Sequence, residues 1–272
     1  MAETVRAALA DATRRINVSE TPRLDAELLM AHLLGMPRNT MLMAHLEDAV
    51  PEGFEALIAR RLAHEPIAAM TGTRGFWTID LQVGPGAFIP RADTETLLEV
   101  AVEFFGARAP AKILDLGTGP GTLLLAALDQ WPQAQGVGVE RSPDAIRYAH
   151  ANAERLGFTD RARIQPGIWA EGIDERFDLV LCNPPYVATS EPLPDEVLLY
   201  EPAMALFGGP DGLDDYRRVI PELPRLIAPG GCAVLEIGWT QAEAVSALAV
   251  DQGFSLRVRN DLGGRPRAVL LT

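Results

Sequence analysis

From Ala111 to the carboxyl terminus, short apolar runs alternate with amphipathic stretches, and this alternation restricts the fold more than any other feature. Ile113-Leu114-Asp115-Leu116 reads as a strand, Thr122 to Trp131 as a helix, Gly136 to Val139 as a strand and Pro143 to Leu156 as a helix. Arg163-Ile164-Gln165 and Phe177 to Cys182 read as further strands, and Leu213 to Ile227 as a helix. Pro229-Gly230-Gly231 marks a turn into the strand Cys232 to Ile237. Gln241 to Gln252 is helical, and Ser255 to Val258 and Ala268 to Leu271 close as strands. Repeated strand–helix units predict an α/β fold with an open, mostly parallel sheet and helices on both faces. In such sheets ligands bind beyond the carboxyl ends of the strands. That rule gathers three segments into one site: Asp115–Gly121, Glu140 and Asn183–Tyr186.

Asn183-Pro184-Pro185-Tyr186 ends the strand Phe177–Cys182 abruptly. Neither proline can continue a ladder, and the residue before each is pushed towards extended geometry. A stiff elbow results, presenting the Asn183 side chain, free carbonyls and the flat Tyr186 ring. These groups suit a planar –NH2. The Asn183 amide oxygen and the Pro184 carbonyl can accept its two hydrogens, and Tyr186 can lie against its plane. Pro-Pro alone would mark only a turn; the flanking Asn and Tyr and the upstream glycines favour a site.

Those glycines, Gly117-Thr118-Gly119-Pro120-Gly121, follow a strand and open a helix. They permit a tight turn and close approach of a ligand. Glu140 ends the next strand, 23 residues after Gly117, where a carboxylate can accept ribose hydroxyls. A dinucleotide needs a sixth-position glycine and amides aimed at a pyrophosphate. Here that position is Thr122, and Pro120 has no N–H. S-adenosylmethionine has no phosphate. Asp115 suits its cationic end, and the helix start after Gly121 its carboxylate. Capping the turn is a structural role that Asp115 can play as well.

Upstream the pattern differs. Val5, Leu9, Ala12 and Ile16, then Leu24, Leu28, Leu29 and Leu33 after Thr21-Pro22, recur at helical spacing. Met41, Leu42 and Leu46 suggest a third helix, and Pro51 opens a fourth over Phe54 to Ala63. A bundle of about four short helices is expected, its Met and Leu stripes serving as core. From Ile67 to Ile89 the reading is strand, with Phe76 to Val83 rich in aromatic and β-branched residues, forming a β-hairpin. The expected division is a helical domain over 1–66, a hairpin linker over 67–92 and an α/β domain over 93–272. Asp93 or Thr94 is a candidate N-cap for the helix that follows. By spacing alone Arg91 and Asp93 read as a solvated helix entry.

The net charge of the 272-residue chain is −13 and its pI about 4.8. That makes a phosphate backbone a poor electrostatic partner, without excluding a local basic patch. Lys112 is the only lysine. Two cysteines and four histidines, dispersed, indicate neither a disulfide framework nor a metal site. No signal peptide or membrane-length apolar run is evident, so a cytoplasmic protein is expected.

Taken together, these motifs place the chain in a recognisable company. It resembles the class I methyltransferases and, within them, is similar to the peptide chain release factor glutamine methyltransferases. The likeness covers nearly the whole chain. It rests on Glu65-Pro66-Ile67, Gly72, Phe76-Trp77 and Ile89-Pro90-Arg91-x-Asp93-Thr94-Glu95, then on Asp115-Leu116-Gly117-Thr118-Gly119, Asn183-Pro184-Pro185-Tyr186, Tyr200-Glu201-Pro202 and Ala205-Leu206. Asn-Pro-Pro-Tyr is shared by enzymes that methylate amino groups of DNA, RNA and glutamine; the Pro-Arg-x-Asp-Thr-Glu segment is more specific. The resemblance implies a Rossmann-like sheet preceded by a helical, substrate-recognising bundle. It implies methyl transfer from S-adenosylmethionine to the glutamine amide of a Gly-Gly-Gln loop in release factors. Asn183, Pro184 and Tyr186 would be catalytic. Asn183, Pro184, Pro185, Tyr186 and Arg91 would contact substrate. Asp115, Gly117, Thr118, Gly119, Gly121, Glu140, Trp169 and Asn183 would contact the cofactor. Two positions depart from the family pattern. Ala92 replaces a common proline, and Gly167 stands where an acidic residue often meets the adenine amino group. Trp169 packs near the adenine, or Ile168 does, or both are core. Glu95 would sit with Arg91 at the substrate entrance.

The main alternative keeps this chemistry on an adenine or guanine amino group in nucleic acid; the acidic charge and the lack of a basic run disfavour it. An NAD-dependent oxidoreductase is disfavoured by Thr122, and a non-enzymatic binding module by the intact motifs.

Overall fold

A computed structural model describes residues 3–272. By internal packing the described residues form two compact units, residues 3–73 with 193–200, and residues 74–192 with 201–272.

The first unit holds α1 (Val5–Arg15), α2 (Pro22–Leu33), α3 (Arg38–Ala44), α4 (Phe54–Leu62) and the short α5 (Ile67–Thr71). Thr4 caps α1 by accepting the Ala7 N–H at 3.3 Å, and Pro22 occupies the first turn of α2, where its missing N–H costs nothing. Gly53, in the left-handed region, precedes α4; Pro51 lies upstream of the helix rather than in its first turn. The Met and Leu stripes are indeed core: Leu29, Met30, Met41, Phe54 and Ile58 are fully buried together. Ile67–Thr71 is helical, not extended as expected, because Pro66 sets up a helix start that Gly72 closes with a positive φ. Arg61 is buried between Asp25 (2.7 Å) and, from the 193–200 segment, Glu196 (2.9 Å). A buried guanidinium needs such partners.

The expected hairpin is formed by β1 (Thr73–Phe76) and β2 (Ile79–Gln82), so of the Phe76–Val83 run only Phe76 and Ile79–Gln82 are strand. Trp77, at φ +55°, turns the chain between them, and its backbone N–H donates to Glu95 at 2.8 Å. Glu95 therefore anchors the hairpin turn, a role its motif did not suggest. After α6 (Glu95–Phe105) come β3 (Lys112–Leu116), α7 (Thr122–Gln130), β4 (Gln135–Glu140), α8 (Pro143–Arg155), β5 (Ala162–Pro166) and β6 (Phe177–Cys182). Next are the short helices α9 (Asp195–Tyr200, part of the first unit), α10 (Asp214–Val219) and α11 (Leu223–Leu226). β7 (Ile227–Glu236), α12 (Ala242–Asp251), β8 (Leu256–Asn260) and β9 (Pro266–Leu271) complete the chain. The expected single helix over Leu213–Ile227 is divided by a 3₁₀ turn, with Pro221 and Pro224 interrupting the backbone ladder. β7 starts earlier than expected, at Ile227. Its register shifts between Phe177 and Leu179, so Pro229-Gly230-Gly231 bulge within the strand.

Seven strands run in the order β5-β4-β3-β6-β7-β9-β8. All pairs are parallel except those of β9 with β7 and β8. Leu114, Leu116, Val180, Cys182 and Leu235 pack with Val219, Leu223 and Val245 on one face. Their neighbours Ile113, Leu179, Leu181 and Val234 are equally buried and, by strand alternation, face the other side, where α6 and α7 contact the sheet. Registers Leu116↔Val139, Leu116↔Cys182 and Cys182↔Leu235 align the carboxyl ends of β3, β4, β6 and β7. The order of connection reverses between β3 and β6, the topological position at which such sheets bind ligands.

Candidate functional site

The glycine turn is built from its own backbone. Gly117 and Thr118 both donate to the Val139 carbonyl, at 2.9 and 3.0 Å, folding the turn over the end of β4. Gly117 adopts φ +72°, and a Cβ there would lie 3.1 Å from the Trp169 ring, so both conformation and space call for glycine. Asp115 is buried at the end of β3. Its Oδ2 accepts the Thr118 hydroxyl at 2.6 Å and the Leu124 N–H at 3.0 Å, so it does cap the turn. Its Oδ1 is buried without a partner. Burial pushes this carboxyl up to about 7, against the pull of those two hydrogen bonds, and the Glu140 charge adds to the rise.

Glu140 spends its carboxylate on backbone donors. Oε2 accepts the Gly119 N–H at 2.9 Å, and Oε1 accepts those of Arg141 (2.7 Å) and Ser142 (2.8 Å). Of the roughly four acceptor positions of a carboxylate, about one remains for a ribose hydroxyl. Trp169 has φ +52° and lays its ring against Gly117, while Ile168 is exposed. Gly167 donates to the Glu140 carbonyl at 3.0 Å. With no side chain it offers the adenine no carboxylate.

Asn183 follows β6, as the strand-end reading required. Its Nδ2 donates to the Thr94 hydroxyl at 3.4 Å. Thr94 starts α6 yet makes no side-chain cap, so its hydroxyl is available to Asn183. Of the two N-cap candidates Thr94 is the N-cap residue, without a side-chain cap bond. Tyr186 stands on a buried polar cluster. Its hydroxyl donates to Glu236 Oε1 at 3.3 Å and accepts from Arg267 Nη1 at 3.4 Å. Glu236, fully buried at the end of β7, is pushed up to about 7 by burial, with Thr94, Arg267 and Tyr186 pulling it down. Its Oε2 completes no hydrogen bond of ordinary geometry, Thr94 included. Burial likewise raises the Tyr186 hydroxyl, and the Glu236 charge adds to it. Asp93 is bound by Arg267 at 3.2 Å. Arg91 pairs with the buried Glu201, whose Oε2 also accepts the Ile89 N–H at 3.3 Å, and stacks 5.0 Å from the Phe88 ring. It is not a free solvated charge.

Known proteins match the chain in family, in sequence and in fold. A family model described as a methyltransferase domain matches residues 108–255, and one described as the PrmC N-terminal domain matches residues 7–72. A release factor glutamine methyltransferase of Rhodospirillum rubrum is 41% identical over 92% of this chain and 79% of its own length. One from Mycolicibacterium smegmatis is 42% identical over 93% and 91%. The chain belongs to the release factor glutamine methyltransferase family. Among solved structures, a T. thermophilus 16S rRNA N2 G1207 methyltransferase in complex with AdoMet and guanosine shares the fold (TM-score 0.52, 18% identity, 73% of this chain and 49% of that one).

Within this methyltransferase the residues around Asp115 fit S-adenosylmethionine. An unpartnered buried carboxylate oxygen answers a cation, and the glycine turn leaves open space at Gly119. Several supporting residues carry no local motif. Asn152 ties β2 to the turn, accepting the Gln82 N–H at 2.7 Å and donating to the Pro120 carbonyl at 2.9 Å. Gln241 donates to the Tyr186 carbonyl at 2.9 Å. Thr94, Glu236 and Arg267 were likewise outside the site read from sequence. Thr94 does lie in the Pro-Arg-x-Asp-Thr-Glu segment, whereas the sequence signal of Glu236 and Arg267 is a charge beside an apolar run, as with Glu236 after Cys232–Leu235.

Proposed function

We propose that this methyltransferase moves the methyl group of S-adenosylmethionine to the side-chain amide nitrogen of the glutamine in the Gly-Gly-Gln loop of peptide chain release factors, in the cytoplasm. The observation that carries this reading is Asn183 at the carboxyl end of β6 with its Nδ2 engaged by Thr94. Its Oδ1 accepts no hydrogen bond among the described residues and is left to receive an amide hydrogen. No helix among those residues is long and apolar enough to cross a membrane.

S-adenosylmethionine supplies an electrophilic methyl group on a sulfonium. Asp115, with Glu140 and the turn Gly117-Thr118-Gly119 and Gly121, holds its cationic and ribose portions, and Trp169 flanks the turn. Asn183 Oδ1 and the Pro184 carbonyl accept the two hydrogens of the glutamine amide. Tyr186, with Pro185 behind it, bounds the amide plane. An amide nitrogen is a poor nucleophile because its lone pair is delocalised. The site's contribution would be orientation, holding the amide so that its lone pair faces the methyl group that S-adenosylmethionine would supply. The amide proton leaves to solvent during or after transfer. Arg91, fixed by Glu201, lines the entrance. The helical segment 1–66 recognises the body of the protein substrate, with 67–92 as its linker.

The test is transfer of label from S-adenosylmethionine to a purified release factor, with its Gly-Gly-Gln glutamine replaced by alanine as control. A DNA and RNA mixture is assayed separately. Label on the intact factor, lost in the control, is expected. Label on nucleic acid alone would overturn the acceptor while keeping the Asn183 chemistry.

A further inference from the structure

Two exposed large apolar side chains stand at the same end of the sheet as Asn183. Trp239, in the loop after β7, is 57% exposed, and Leu262, in the turn between β8 and β9, is 99% exposed. Arg265, in that same turn, lies 5.6 Å from the Trp239 ring centroid, so the turn that carries Leu262 meets the loop that carries Trp239. Their placement follows from register. β6 and β7 run parallel with Cys182 opposite Leu235, so Asn183 leaves the sheet beside Glu236, one residue before Ile237. β9 is antiparallel to β7 with Glu236 opposite Ala268, and Ile237 donates to the Arg267 carbonyl at 2.8 Å. The β8–β9 turn therefore stands beside the end of β7.

Both loops are fastened to the proposed acceptor site. Gln241, just after Trp239, donates to the Tyr186 carbonyl at 2.9 Å, and at Gly212 a Cβ would collide with that same carbonyl. Arg267 reaches the Tyr186 hydroxyl at 3.4 Å and Asp261 at 3.1 Å, and Asp261 closes the turn by accepting the Arg265 N–H at 3.0 Å. Nothing in the fold requires a tryptophan or a leucine at these exposed positions, where polar residues would be solvated at no loss. A rigidly supported aromatic ring, a guanidinium and an aliphatic side chain are the groups that dominate protein–protein contacts.

We propose that Trp239, Leu262 and Arg265 form a docking lip for the polypeptide that flanks the acceptor glutamine. The inference rests on the reading of Asn183–Tyr186 as the glutamine pocket. A glutamine side chain inserted there leaves its backbone at the mouth. Neighbouring residues, each adding up to roughly 3.5 Å of reach, then run across the rim that Tyr186 shares with both loops. A nucleic acid stacking on Trp239 is the competing occupant, disfavoured by a net charge of −13 and a single arginine in the patch.

The experiment is steady-state methylation of full-length release factor by W239A, L262S, the double variant and W239F, with N183A in parallel. The double variant is expected to raise KM for release factor about tenfold or more. Its kcat at saturation and its S-adenosylmethionine Kd stay at wild-type values, and W239F stays close to wild type. A wild-type KM in the double variant, with N183A inactive, overturns the lip and leaves the pocket standing. A wild-type enzyme inert on release factor overturns both. Loss of methylation of nucleic acid, but not of release factor, in W239A assigns the patch to the other occupant and overturns the proposal.

Discussion

The cofactor half and the acceptor half of the site are held in opposite ways. Around Asp115 and Glu140 the partners are mostly backbone N–H groups, all but Gly119 close in sequence: Thr118 and Leu124 for Asp115, Gly119, Arg141 and Ser142 for Glu140. Around Asn183 and Tyr186 the partners are side chains from distant elements: Thr94, 89 residues away, Glu236 at 50 and Arg267 at 81. Backbone donors in a turn are preorganised by the turn itself. Side-chain partners must be held in place by packing, which is why Glu236 and Arg267 are buried and why their removal should disturb orientation more than binding.

That contrast can be broken by experiment. The largest effect is expected from N183A, which should lower methyl transfer about 100- to 1000-fold, as loss of a donor or acceptor used in the transition state does. Its S-adenosylmethionine Kd should change little; equal losses in single-turnover rate and in calorimetric Kd would sink the division into halves. G117A forces an L side chain into a left-handed position against Trp169. It should cost roughly 1–2 kcal/mol in denaturant unfolding and weaken cofactor binding, while the acceptor half keeps its geometry.

The pH dependence of cofactor binding tests the cofactor half further. A cationic ligand requires ionised Asp115, whose carboxyl in the free protein sits at about 7 through burial. Affinity should be complete above that pH and fall about tenfold per unit below it. A D115N titration should be flat over that range; a flat wild-type titration would remove Asp115 from the ligand. The smallest effect is expected from T94V, which deletes the hydroxyl that accepts from Asn183. Turnover should drop roughly three- to tenfold, the usual worth of one hydrogen bond. Melting temperature and cofactor Kd should hold, and T94S should recover the rate. A melting-temperature loss in T94V that T94S fails to repair would make Thr94 structural.

Legibility followed the same line. The Gly117–Gly121 turn, Glu140 one strand later and Asn183–Tyr186 at a strand end were readable because each is a contiguous run whose chemistry is local. The bundle helices showed in the 3.6-residue recurrence of Val5, Leu9, Ala12 and Ile16. Where local signals competed, reading failed. Trp77 looked like strand but adopts φ +55° because Glu95 holds its N–H. Ile67–Thr71 looked extended but forms a helical turn between Pro66 and Gly72. Thr94 is the N-cap residue, as expected, yet gives its hydroxyl to Asn183 instead of to the helix.

Sequence by itself determined the alternation of strand and helix, the glycine turn, the Asn-Pro-Pro-Tyr elbow and the family resemblance they carry. All of these depend on backbone preferences acting over a few residues. Only the tertiary structure decided which buried polar groups meet. Glu236 under Tyr186, Thr94 beside Asn183, Arg267 joining Asp93, Asp261 and Tyr186, and Trp239 beneath Arg265 all arise from strand order and register. A carboxylate fifty residues from its phenol has no local signature. It is paired because the sheet places the two strand ends together and because burying either one without a partner would cost too much.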